Sequence, residues 1–191
     1  MSNAGLAILY SMLRRTPGVF VDRFFVPWTD MEAHIRAGSV PYTSRDHGLP
    51  MDRFQVVGVS LPFELTYTGV LTALDLGGIP LHGAERGRDA PLVIAGGPGA
   101  AHPEPMAPFF DAFLVGDGEV LLPGFLRALS ALGFPQVDRD VVLSTLDDVP
   151  GVFVPSLHPP EVDPITGLGI VPGHVTRRQW MEDLDPGPDL R

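Results

Sequence analysis

Three short runs decide what this chain can fold into: "FQVVGVS" (54–60), "PLVIAGG" (91–97) and "AFLVGDGE" (112–119). Each is continuously apolar at its centre and breaks off into serine, glycine or aspartate. A strand that alternates apolar with polar residues can leave one face to water, whereas a continuous one has to be covered on both faces. Between the runs lie segments of helical period. Phe63, Tyr67, Val70, Leu71 and Leu74 share one face up to Gly77-Gly78, and residues 120–132 carry another. Pro123 is tolerated there because the first-turn amides have no intrahelical partner. Strand followed by helix, repeated, predicts an α/β protein built on a doubly wound, mostly parallel, Rossmann-like sheet of flavodoxin type.

The flanks of this unit read differently. From Gly5, the apolar positions Leu6, Ile8, Leu9, Met12 and Leu13 predict a helix, with Ser2 or Asn3 as its cap and Pro17-Gly18 as its stop. "VFVDRFFVPW" (19–28) has the β-branched and aromatic content of a strand. Thr29 with Glu32 three residues on reads as a capping box for a short helix ending near Gly38. Beyond Gly133 two short strands, "GVFVPSL" and "LGIVP", flank Asp163-Pro164-Ile165-Thr166-Gly167, which predicts a β-hairpin. The tail "MEDLDPGPDLR" has the acidic, prolyl composition of a linker. The expected organisation is a Rossmann-like domain over 1–135, a connector over 136–150, and a hairpin with linker over 151–191.

Composition excludes several chemistries. All thirteen basic residues are arginine, so the chain has no Schiff-base amine and no P-loop lysine. It has no cysteine, which removes thiol nucleophiles, disulfides, thiolate zinc and any iron–sulfur cluster held by these residues. A net charge of −10 without a basic stripe argues against direct nucleic-acid binding. Neither a membrane-span-length apolar run nor a signal-peptide pattern occurs, and a soluble, cytoplasmic protein is expected.

In an open doubly wound sheet, ligands lie beyond the carboxyl ends of the strands. Three loops qualify here: the one starting at Ser60, the one carrying Gly96 and Gly97, and Gly116-Asp117-Gly118-Glu119. The glycines of the second and third permit close backbone approach to a flat ligand, and those of "AGGPGA" read as a ligand floor rather than a bare turn. Asp117 has a competing reading as a helix cap with Glu119 in the first turn. His102 reads as an exposed turn histidine, and the other histidines show no metal-ligand spacing.

"MSNAGLAILYSMLRRTPGVFVDRFFVPWTDMEAHIR", "VVGVSLPFELTYTGVLTALDLGGIPL", "LVIAGGPGAAHPEPMAPFFDAFLVGDGE" and "GVFVPS", in that order, resemble the N-terminal part of cobalamin-binding-domain radical SAM proteins. The resemblance implies a Rossmann-like cobalamin-binding domain preceding a barrel that carries a [4Fe–4S] cluster on Cys-x-x-x-Cys-x-x-Cys and cleaves S-adenosylmethionine. It implies that Ser60, Gly96, Gly97, Gly116, Asp117, Gly118 and Glu119 line the cofactor side, and that the barrel is the module's partner. The chain departs from the family in three ways. The cluster motif would follow the linker, so a non-catalytic segment is expected. The family's first strand would precede Met1, and its loss from an order 2-1-3-4-5 should leave unpaired ladder groups on two neighbours, at about 1–3 kcal/mol for each buried group. Gly99 stands where the family usually has cysteine. The Asp-x-His-x-x-Gly signature is absent, so no lower axial histidine is expected. The competing readings are a docking module without ligand and a flavodoxin-type nucleotide or flavin binder.

Overall fold

The computed structural model describes residues 4–163, 165–166, 169–170 and 175–182. A four-stranded sheet runs in the order β1 (Val56–Ser60), β2 (Leu92–Gly96), β3 (Ala112–Leu114), β4 (Val152–Phe153). The first three strands are parallel, and β4 adds antiparallel to β3. Helices α1 (Ala4–Arg15), α2 (Thr29–Arg36), α3 (Tyr67–Leu76), α4 (Gly118–Leu132) and α5 (Arg139–Asp147) complete an α/β, Rossmann-like architecture.

The continuous strands divide their side chains by parity, as a pleated strand must. Val93, Ala95, Phe113 and Phe153 enter one core with Leu61, Val70 and Leu74. Leu92, Ile94, Ala112, Leu114 and Val152 enter the other with Leu121, Phe125, Leu129, Val142 and Leu146 of α4 and α5. Both faces are therefore covered, which is why these strands carry no polar alternation. Helix α4 stops at Gly133, whose φ of +72° suits glycine at a helix end.

Four expectations change. Residues 19–28 form no strand. A strand needs a neighbour with free ladder groups, and the bonds between this segment and the 42–47 region are isolated ones: the Arg45 amide donates to the Arg23 carbonyl (2.8 Å) and the Tyr42 hydroxyl to the Phe25 carbonyl (3.2 Å). Phe24 turns inward against the first core while Phe20, Phe25 and Trp28 stay exposed. Thr29 is the first residue of α2 rather than its cap; Trp28 holds the cap position without a side-chain bond, and Glu32 instead pairs with Arg36 one turn on (2.8 Å). "VF" of 152–153 joins the main sheet, so the hairpin is made by β5 (Glu161–Val162) and β6 (Gly169–Ile170), with Asp163 Oδ1 accepting the Ile165 amide (2.7 Å). Pro164, Gly167, the Ser2/Asn3 cap and most of the linker lie outside the described residues. The 136–150 stretch contains α5, capped by Asp138 Oδ1 on the Asp140 amide (3.0 Å).

The fourth change concerns the unpaired ladder. β1 pairs with β2 on one side, and no described strand pairs with the other. The Gln55 carbonyl and the Leu61 amide both bond towards β2, so the alternation of a parallel ladder directs the amides and carbonyls of Val56, Gly58 and Ser60 outward. The open edge therefore falls on one strand rather than two. Gly58 and Ser60 are exposed, so water can reach it.

Candidate functional site

The predicted residues fall into two groups at the carboxyl ends of the strands. Ser60 and Gly96 are register partners on β1 and β2. The ladder continues past them: the Leu61 amide donates to the Gly96 carbonyl (2.8 Å), and the Gly99 amide to the Leu61 carbonyl (2.8 Å). This zipper explains the glycines. A Cβ on Gly97, at φ +90°, would lie 3.1 Å from the Leu61 carbonyl oxygen, and one on Gly99 would lie 2.9 Å from the same atom. Gly96 differs, because a Cβ there would meet nothing within 4 Å.

Gly116, Asp117, Gly118 and Glu119 form the second group, half-buried at the end of β3. Their space is taken by the chain itself. Gly116 bridges in parallel to Gln179, and a Cβ on it would land on the Gln179 carbonyl. The Gln179 amide donates to the Val115 carbonyl (3.0 Å), and the Asp117 amide to the Gln179 carbonyl (2.9 Å). The Asp117 carboxylate makes no side-chain cap for α4; it accepts the Met181 amide (2.9 Å). Gly118 is covered by Leu9 of α1, whose Cδ2 would be 2.8 Å from a Cβ there. Residues 177–181 thus form a strap seated on the tip of β3. His102 is exposed.

A [4Fe–4S] cluster has no thiolate to hold it in a chain without cysteine. The strap and Leu9 occupy the space beside Gly116 and Gly118, and Gly96 alone of the predicted glycines keeps open space. Among the described residues no group of three or more His, Asp or Glu side chains could hold a metal ion. No helix among them is long and apolar enough to cross a membrane.

The sequence reading missed a buried ion cluster at the opposite end of the sheet. Asp111 Oδ2 receives Arg86 Nη1 (3.1 Å), Arg139 Nη2 (2.7 Å) and the Val93 amide (2.7 Å). Arg86 also donates to the carbonyls of Pro80, Leu81 and Phe109 at 2.7–2.9 Å. Burial pulls the Arg86 guanidinium below its ordinary pKa, and the Asp111 charge opposes that. These residues lie far apart in the chain, and only the fold joins them. Near this end a cleft of about 680 Å³ opens between residues 52–55, 88–91 and 134–136.

An open, mostly parallel sheet covered by helices on both faces, with glycine-bearing loops at its carboxyl ends, defines the Rossmann-like class. Within that class, residues 5–155 match the family described as radical SAM proteins, N-terminal, and the chain belongs to that family. No curated protein and no solved structure matches it.

Proposed function

We propose that this chain is the non-catalytic N-terminal module of a radical SAM protein, and that its strand tips act as a seat for its own 177–181 strap, which orients the chain towards a linked radical SAM domain. The observation that carries this reading is the double backbone exchange between Gln179 and the Val115–Asp117 tip. The chemistry of the linked domain is cluster-dependent cleavage of S-adenosylmethionine; residues 1–191 contribute position and no electrons. A second reading, cobalamin binding, is favoured by the open space above Gly96 beside exposed Ser60. It requires the strap to leave.

Gly116→Ala separates the two. The substitution forces a side chain into φ +141° and onto the Gln179 carbonyl, a backbone region costing roughly 1–3 kcal/mol for any residue but glycine. On the seat reading, hydrogen exchange at the Gln179 and Met181 amides rises to the rate of open chain while β2 and α4 stay protected, and hydroxocobalamin is not retained by either protein. Unchanged protection at Gln179 and Met181 overturns the seat. Retention of hydroxocobalamin with a shifted absorption spectrum overturns it in favour of the corrin.

A further inference from the structure

A second cleft, of about 350 Å³, lies away from the strand tips, between α1 and the 19–23 segment, lined by Tyr10, Arg14, Phe20, Arg23, Asp46 and His47 among others. This is at the small end of the roughly 300–1,000 Å³ typical of ligand clefts. Its back wall is rigid. The Asp22 carboxylate is fully buried and accepts the amides of Arg23 (2.7 Å), Asp46 (3.0 Å) and His47 (3.0 Å) together with His47 Nδ1 (3.0 Å). Burial alone would raise the Asp22 pKa; these bonds and one from the Ser44 hydroxyl outweigh it and hold the carboxyl far below its usual range. This ionised carboxylate ties the 19–23 segment to the turn carrying Asp46 and His47, and the two form sides of the cleft.

The side chains facing the cleft carry two guanidiniums and one carboxylate. Asp46 accepts the Tyr10 hydroxyl (2.6 Å) and Arg23 Nη2 (3.1 Å), and the Arg23 guanidinium lies over the Tyr10 ring at 4.3 Å. Arg23 Nε is buried without a hydrogen-bond partner. Arg14 is exposed, and its guanidinium sits 5.8 Å from the Tyr10 ring centroid. With Asp46 bound to Arg23, Arg14 is the exposed guanidinium of the cleft, in a protein of net charge −10. A flat apolar wall completes it. Phe20 is 57% exposed, and its ring meets the His47 ring edge-on at 5.0 Å and stacks on Phe54 at 6.0 Å.

We infer that this cleft binds a planar aromatic monocarboxylate, its carboxylate on the exposed planar fork of Arg14 and its ring against Phe20. A dianionic phosphate would meet the Asp46 carboxylate with twice the charge of a monoanion. Guanidinium recognises carboxylate in two parallel bonds, which a planar ligand presents without strain. The inference is independent of the strand-tip seat.

Titrating the 191-residue chain with benzoate, and separately with inorganic phosphate, tests it by NMR at the arginine Nε–H and Phe20 ring resonances. Benzoate is expected to shift both saturably and to bind more tightly than phosphate. Arg14→Gln, at an exposed helix position, should weaken benzoate binding about tenfold or more with unchanged circular dichroism, and Phe20→Ala should weaken benzoate while leaving phosphate unaffected. Absence of saturable shifts at these residues, tighter binding of phosphate, or full affinity in Arg14→Gln overturns the assignment.

Discussion

Asp111→Leu is expected to destabilise the chain by about 3–5 kcal/mol, the cost of leaving buried charge without its partner. Arg86 has a fully buried side chain, and Asp111 is the acidic group that meets it. The same carboxylate ties the start of β2 to α5 through the Val93 amide and Arg139, so its removal unfastens three segments at once. Urea unfolding followed by circular dichroism reads the loss directly. The paired substitution Asp111→Leu with Arg86→Met should recover only part of it, because it removes the uncompensated Arg86 charge but leaves the Pro80, Leu81 and Phe109 carbonyls without their donor. A single variant within about 0.5 kcal/mol of the parent, the range of an ordinary surface change, would show that the cluster does not hold the fold.

Phe113→Ala is expected to cost about 3–5 kcal/mol as well, through the transfer of a large apolar side chain and the cavity left behind. Phe113 is fully buried at the centre of the sheet, with ring centroids of Phe110 at 5.2 Å and Phe153 at 6.3 Å. It joins β3 to β4 and to the α3 side of the core. Leu65→Ala is the matched control: that side chain is 87% exposed, and its truncation should leave the urea midpoint within the surface range. Equal midpoints for the two variants would mean that the sheet is not packed as described.

The parts of the fold visible in the sequence are those that local chemistry dictates. β1, β2, β3 and α4 were legible because continuous apolar runs and a 3.6-residue period each leave one packing solution. Residues 19–28 carry the right composition for a strand, yet strand formation depends on a neighbour that composition does not reveal. Helix α5 rests on Val142, Leu143 and Leu146, too short an apolar pattern to separate from a connector. The Asp111 cluster left no trace in the sequence, since its three members come from unrelated segments.

The candidate site was legible as a set of loops and not as a surface. Glycine marks a place where a side chain would collide, but the sequence does not say with what. At Gly97 and Gly99 the colliding object is the Leu61 backbone, and at Gly116 it is Gln179. Only Gly96 keeps the vacancy that a ligand floor requires. Asp117 shows the same ambiguity: its position suits a helix cap, and its carboxylate serves the Met181 amide from far along the chain.

The outward rim of β1 sets a limit on how concentrated this protein can become. Val56, Val57, Gly58, Val59 and Ser60 include no charge, proline or bulge of the kind that keeps exposed sheet margins from recruiting one another. Mutual repulsion between molecules of net charge −10 is then the main guard, and dissolved ions weaken that guard over a distance of about 10 Å at 0.1 M. Light scattering that grows as salt is added, and falls when Gly58 is replaced by lysine, would register association through this margin.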